Sequence, residues 1–193
     1  MIQIISGEGL QRHAALLEEQ HRIRHQIFVG ERGWSALARA DGHESDAYDT
    51  SETIYVLAVE EARVVGGFRL NPTTSPHMIS EVFPHLVEGT IPSGPTILEG
   101  SRFFIVRESR GSKTYLELMA SAQDYCLKNG ITHMTLVIEM WWLPRFLEME
   151  FLVKPLGLPQ LIDNVTTAAI IIEISEHSLA RVEHLMRLQT QAA

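Results

Sequence analysis

The sequence has a single cysteine, Cys126, among 193 residues. That excludes an internal disulfide framework, and it excludes thiolate zinc sites, which need several cysteines. A reducing compartment, the cytoplasm, is the expected location. Basic residues are also in the minority: 16 Lys and Arg against 24 Asp and Glu give a net charge of −8 with His neutral. No chain-wide basic field is available to attract phosphate backbones, so nucleic acid is not an expected partner. Long hydrophobic runs are missing as well, since charge interrupts each one well before membrane-spanning length. The opening residues Met1-Ile2-Gln3-Ile4-Ile5-Ser6 lack the basic stretch and long apolar stretch of a secretory signal, so neither export nor membrane insertion is expected. Repeats and low-complexity tracts are absent too, and the prolines gather in loops from Pro72 to Pro95 and from Pro144 to Pro159 without forming one linker.

What is present is the composition of a folded soluble protein, 45% apolar and 21% charged. The length suits one domain spanning 1–193. A short strand is expected at Gln3 to Ser6, then a helix from about Leu10 to Val29 carrying Leu10, Ala14, Leu17, Ile27 and Phe28 at a loose helical period. Trp34 to Ser51 is polar and aperiodic, as expected of a long ordered loop, and such loops are usually functional. Thr53 to Val59 and Val64 to Leu70 are β-rich and close enough for a hairpin. A short helix near Met78 to Leu86 leads to a strand at Thr96 to Val106, whose internal Gly100 suggests a bulge or a close backbone approach. The clearest helix carries Tyr115, Leu118, Met119, Ala122 and Tyr125 and ends at Asn129-Gly130. A strand at Thr132 to Ile138, a short helix at Trp141 to Met149, a strand at Thr166 to Ile174 and a helix at Ser178 to Gln189 complete a mixed α/β pattern of hairpins and one βαβ unit.

Three constellations carry chemistry. Arg24, Phe28 and Trp34 precede Asp46-Ala47-Tyr48-Asp49. Aromatic faces attract a desolvated cation, carboxylates favour an ammonium and arginine clamps a carboxylate, so together they suit a zwitterion with an extra positive charge such as S-adenosylmethionine. Each residue taken alone is better explained as a core or loop-capping residue. Gly67-Phe68-Arg69 and Glu99-Gly100-Ser101-Arg102 place charge inside apolar strands. A buried carboxylate left unpaired is costly, so Glu99 is either ion-paired with Arg69 or Arg102 or raised in pKa for proton transfer. Arg107, Arg110 and Lys113 precede the clearest helix, where backbone amides and cations could hold coenzyme A phosphates; the alternative is a solvated charged turn. His21 and His25 have no third ligand nearby, so no metal site is expected. Ser101 and Ser112 do not stand in a Gly-x-Ser-x-Gly elbow, so hydrolase chemistry has no support.

Arg22-Ile23-Arg24, Gly33-Trp34, Glu44 to Asp49, Gly67-Phe68-Arg69-Leu70-Asn71-Pro72-Thr73-Thr74, Ser80 to Pro84 and Glu99-Gly100-Ser101-Arg102-Phe103 follow one another in an order that resembles the acyl-homoserine-lactone synthases, the bacterial autoinducer synthases of quorum sensing. The resemblance is dense over the first half of the chain. It implies an α/β three-layer αβα fold of the GCN5-related N-acyltransferase type, with a mixed sheet and a cleft between splayed central strands. It also implies acylation of the S-adenosylmethionine amine by an acyl thioester, followed by lactone closure and loss of methylthioadenosine. Both are substrates; no cofactor and no metal is implied. The amine is well chosen, because an α-amino group with a pKa of ~8 is already partly free base near neutrality. The resemblance implies Glu99 as candidate base and Arg69, Arg102, Asp46 and Asp49 as an orienting ion-pair network. Arg24, Phe28, Trp34 and Ser101 would bind adenosylmethionine. Many members have Trp before the Glu where this chain has Leu98, a difference that would alter pocket shape. The stretches Glu139 to Phe146 and Lys154 to Pro159 resemble the branch from rhizobia and related phototrophs, whose members can use branched or aryl acyl-CoA. This favours an acyl-CoA donor held by Arg107, Arg110 and Lys113 over a transient contact with acyl carrier protein. Met140, Trp142, Leu143 and Phe146 are candidates for the acyl pocket. Two rival functions stay open at this point: an acyltransferase acting on another amine, and a binding module in which Glu99 only pairs with arginine.

Overall fold

A computed structural model of the chain describes residues 1–111 and 113–192. They fall into two compact units, Met1–Leu70 with Arg102–Leu118, and Asn71–Ser101 with Met119 onward.

In the first unit, β1 (Ile2–Ile5) lies antiparallel to β2 (Ile54–Glu60), and β2 lies antiparallel to β3 (Arg63–Pro72). The β2–β3 hairpin turns on Glu61 and Ala62, both at positive φ (48° and 63°), the conformation whose twist matches that of the flanking strands. β3 continues the sheet towards β4 (Ile97–Ile105), where the Val106 N–H donates to the Val65 carbonyl at 2.9 Å. Gly67 is required by close approach, because a Cβ there would stand 2.6 Å from Leu57 Cδ2 and 2.8 Å from the Val56 carbonyl oxygen. Gly100, the strand glycine read from sequence as a bulge or a close backbone approach, is also tightly packed: a Cβ there would stand 2.6 Å from Leu136 Cδ2 and 3.0 Å from Met134 Sδ.

The expected helix at Leu10 to Val29 is three segments: α1 (Gly9–Arg12), α2 (Ala14–Arg24) and a π-helical stretch, His25–Glu31. Ile23, Ile27 and Phe28 from this face pack with Ile5, Tyr55, Leu57, Val59, Val64 and Phe104. Full burial of each such side chain is worth about 1.5–3 kcal/mol. The wider i→i+5 turn rotates the chain as it leaves α2. Such π segments recur at functional sites, and apolar periodicity cannot distinguish one from an α-turn.

In the second unit, the first half of β4 runs parallel to β5 (His133–Glu139), with Ile97–Gly100 opposite His133–Leu136. A parallel pair needs a crossover, which α4 (Thr114–Lys128) supplies. Gly130 at φ +69° follows the end of α4, as the Asn-Gly signal predicts. β5 is antiparallel to β8 (Val165–Glu173), and β8 also pairs with two short strands, β6 (Val153–Pro155) and β7 (Gln160–Ile162). These two escape the sequence reading because they are three residues long and lie in a proline-bearing stretch, with Pro155 itself in one of them. α3 (Met78–Glu81) precedes β4, α5 (Leu143–Glu148) follows β5, and α6 (Glu176–Ala192) closes the chain. Ser178 on α6 donates a buried 2.6 Å hydrogen bond to Gln123 on α4. The architecture is a mixed α/β fold on an open mixed sheet. No helix among the described residues is long and apolar enough to cross a membrane.

Candidate active site

The polar loop after Trp34 explains itself through what it carries. Glu44, Asp46 and Asp49 project from it onto three arginines, Arg24 from α2, Arg69 from β3 and Arg102 from β4. Arg24 Nε donates to Glu44 at 2.5 Å, and its two terminal nitrogens grip Asp49 at 2.8 and 3.0 Å. Arg69 forks onto Asp46 at 2.6 and 2.8 Å and reaches Asp49 at 2.8 Å. Arg102 joins Glu44 at 3.0 Å to Asp46 at 2.9 Å. Asp49 also accepts the Tyr55 hydroxyl at 2.9 Å and the Asp46 amide at 2.9 Å, with His21 Nε2 at 3.6 Å.

Three guanidinium charges thus meet three carboxylate charges in a closed lattice. Arg24 and Arg69 are essentially fully buried, 1% and 0% exposed. Burial by itself would raise the Asp49 pKa, but His21, Arg24 and Arg69 together hold its carboxyl far below the usual range. Asp46 is likewise depressed: burial opposes ionisation and is outweighed by Arg69 and Arg102. Burial pulls the Arg24 and Arg69 guanidiniums down, yet hydrogen bonds and charge from Asp49, Glu44 and Asp46 leave both raised. Arg102 is lowered, because burial and the charges of Arg69 and Arg24 outweigh Glu44 and Asp46. Burial and Asp49 push the Tyr55 phenol up. Bidentate, buried pairs of this kind fix geometry more than they add stability.

The network predicted from sequence for Arg69, Arg102, Asp46 and Asp49 is therefore assembled in space. Arg24, expected as a clamp for a ligand carboxylate, spends its donors on Glu44 and Asp49 instead. Glu44, Tyr55 and His21 were missed as members. Glu44 lay inside the matched stretch, and its signal was the third carboxylate of one loop. Nothing in the sequence announces that His21 faces Tyr55 edge-on at 6.1 Å.

Phe28 and Trp34 stack at 5.1 Å with planes 9° apart. Arg32 lies 5.9 Å from the Phe28 centroid and 5.3 Å from that of Trp34, and Arg102 lies 5.8 Å from Phe28. The rings expected to meet a cation thus already have guanidinium groups near them, and Phe28 is core while Trp34 is partly exposed.

Glu99 is 1% exposed on β4, three positions before Arg102. Its carboxylate accepts the Met78 amide at 2.9 Å and the Ile79 amide at 2.7 Å, at the start of α3. Ser101 is half-buried on the same strand. A carboxylate on a strand interior, oriented by two amides, is held in the manner a positioned base requires.

Other candidates are placed less directly. Arg110 pairs with Glu31 at 2.7 Å and bonds the Ile105 carbonyl at 3.0 Å; Arg107 lies 3.9 Å from Glu31, and Lys113 pairs with Glu117 at 3.0 Å. Ser112 lies outside the described residues. Trp141 and Trp142 stack at 4.7 Å, Arg145 lies 5.2 Å from Trp142, and Phe146 packs edge-on against Phe151. Met140, Trp142 and Leu143 are half-buried, whereas Phe146 is buried. Burial pushes the Cys126 thiol up to about 12, so it offers no nucleophile near neutrality.

The mixed sheet matches a solved candidate N-acetyltransferase from Lactobacillus plantarum at TM-score 0.60 and 19% identity, over 90% of this chain and 99% of that one, which defines the acyltransferase-type fold. The autoinducer synthase family model matches residues 8–182, and the chain belongs to that family. It is an acyl-homoserine-lactone synthase, and hence an acyltransferase. The isovaleryl-homoserine lactone synthase of Bradyrhizobium diazoefficiens is 50% identical over 181 residues, covering 93% of this chain and 82% of that protein. The CoA-dependent acyl-homoserine lactone synthase BjaI, solved with SAM and isopentyl-CoA, superposes at TM-score 0.93 with 48% identity, over 96% of this chain and 89% of that one. BjaI is also solved with MTA.

Proposed function

We propose that this protein, working as one catalytic domain in the cytoplasm, transfers a short branched or planar acyl group from coenzyme A to the α-amine of S-adenosylmethionine and then closes the lactone. The observation that carries this reading is the likeness, over 96% of this chain and 89% of that one, to an enzyme solved with SAM and isopentyl-CoA. Glu99 takes the proton from the ammonium, directly or through water, and the freed nitrogen pair attacks the thioester carbonyl. An amide C–N bond forms and the C–S bond breaks; nitrogen gives up a second proton as the tetrahedral intermediate collapses, so coenzyme A leaves as the thiol with one of the two protons and the other passes to solvent. The substrate carboxylate then attacks its own γ-carbon, and the C–S⁺ electron pair departs with sulfur as neutral methylthioadenosine. The sulfonium supplies the leaving group, so the second step needs chiefly a folded substrate, a proximity effect.

The Arg24, Arg69, Arg102, Glu44, Asp46 and Asp49 lattice is charge-balanced and buried, which suits orienting the loop and strands rather than contributing net charge to a ligand. Phe28 and Trp34, with Ser101, support the adenosylmethionine side. Arg107, Arg110 and Lys113 support the coenzyme A phosphates once Glu31 and Glu117 yield to them. Met140, Trp142, Leu143 and Phe146 support the acyl side, where their bulk favours a small group.

The test incubates purified protein with S-adenosylmethionine and a panel of acyl-CoA and acyl-carrier-protein thioesters and identifies the lactone by mass. Lactone and methylthioadenosine are expected with short branched or aryl acyl-CoA. Turnover confined to carrier-protein thioesters would overturn the donor assignment, and no methylthioadenosine with any donor would overturn the reaction.

A further inference from the structure

Among the buried side chains with a polar atom that makes no hydrogen bond, Asn71 and His77 come from the two segments beside Glu99. Asn71 is 4% exposed with neither Oδ1 nor Nδ2 bonded, and His77 is 2% exposed with Nε2 unbonded. Buried polar atoms in native proteins are nearly always paired, so two such groups in one place mark a surface that a bound molecule completes. Their placement follows from the strands. The Thr73 N–H donates to the Ile97 carbonyl at 3.4 Å. Two residues back along β3 and two forward along β4, in antiparallel register, Asn71 stands opposite Glu99 with both side chains on one face. His77 immediately precedes Met78, whose amide lies 2.9 Å from Glu99 Oε2.

Nδ1 of His77 lies 2.9 Å from the Ser75 carbonyl oxygen; in the tautomer that donates to this carbonyl, Nδ1 carries the hydrogen and Nε2 presents a lone pair. Nε2, Asn71 Oδ1 and the Glu99 carboxylate are therefore two neutral acceptors and one anion in a dry setting. A phosphate or carboxylate would meet lone pairs and a like charge there. A primary ammonium, with three N–H donors and one positive charge, matches them.

We propose that Asn71 and His77 join Glu99 in a cage for the α-ammonium of S-adenosylmethionine, an assignment that rests on the function proposed above. Asn71 Oδ1 and His77 Nε2 each hold one N–H, and the third proton passes to Glu99. The two retained bonds keep the freed nitrogen pair aimed while the new amide forms. Asn71 Nδ2, also unbonded, is a donor for the α-carboxylate of the same substrate.

The experiment measures binding of S-adenosylmethionine and, separately, of methylthioadenosine by titration calorimetry to the full chain and to Asn71→Leu, His77→Phe and His77→Gln, alongside lactone synthesis. Methylthioadenosine lacks the amino-acid end, so its affinity reports the fold of each variant. Asn71→Leu and His77→Phe are expected to weaken adenosylmethionine on the order of tenfold and to leave methylthioadenosine unchanged. His77→Gln, which restores an acceptor, should recover most of the loss. Equal weakening of both ligands, or of neither, would make these residues structural and overturn the cage. If the wild-type chain binds adenosylmethionine but releases no methylthioadenosine, the reaction assignment fails while the cage stands or falls on the variants. If it binds neither ligand, both fail.

Discussion

Replacing Asp49 by Asn probes the arginine–carboxylate lattice where its bonds are densest. The carboxylate receives two bonds from Arg24, one from Arg69, the Tyr55 hydroxyl and the Asp46 amide. An asparagine keeps one acceptor oxygen and turns an NH2 group toward donors, leaving two buried guanidiniums short of countercharge. Breaking one side of a buried pair costs about 3–5 kcal/mol, a large share of the ~5–15 kcal/mol that holds a domain folded. The pH dependence has a definite sign. Asp49 is depressed in the folded state, so its stabilisation is fully present above the unfolded carboxyl value of ~3.9 and is lost as pH falls towards its folded value. Because the folded value lies far lower, the loss continues through the acid range. The wild-type advantage over Asp49→Asn should shrink by about 1.3 kcal/mol between pH 7 and pH 3, close to one proton's worth of linkage. Urea unfolding at several pH values measures both quantities. A difference below about 1 kcal/mol that does not vary with pH would show that the lattice is solvated and energetically idle, and would refute the reasoning.

Glu99→Gln should lower kcat by about 10²–10⁴-fold, with a much smaller effect on adenosylmethionine affinity because one acceptor oxygen is kept; unchanged kcat in steady-state kinetics would remove Glu99 from the chemistry. Trp34→Ala should mainly weaken adenosylmethionine binding, read by calorimetry, and a pure kcat effect would contradict its assignment to that substrate. Gly67→Ala drives a Cβ into Leu57 and the Val56 carbonyl, and thermal unfolding should report a loss of about 1–3 kcal/mol; a neutral result would mean that β2 and β3 can separate without cost.

The chain displays its chemistry more openly than its connections. Strand and helix periods locate β2, β3, β4, α4, β5, β8 and α6 to within a few residues, because each buries a regular face. The sequence also presents Glu99 and the Arg and Asp residues in family order. It does not display the π-helical stretch, which shares the apolar pattern of an α-helix, or the three-residue strands β6 and β7, which are too short to show a period.

What the sequence by itself determined is therefore the set of reactive side chains, the elements that carry them and the kinship they signal. Only the tertiary structure decided how their hydrogen bonds are spent. Arg24 binds Glu44 and Asp49 instead of standing free, Glu99 is held by the amides of Met78 and Ile79, and Asn71 and His77 keep buried atoms unpaired. The physical reason is separation along the chain. Arg102 and Glu44 are 58 residues apart, and no local propensity encodes a bond that exists only after β4 and the Glu44 loop have been packed together.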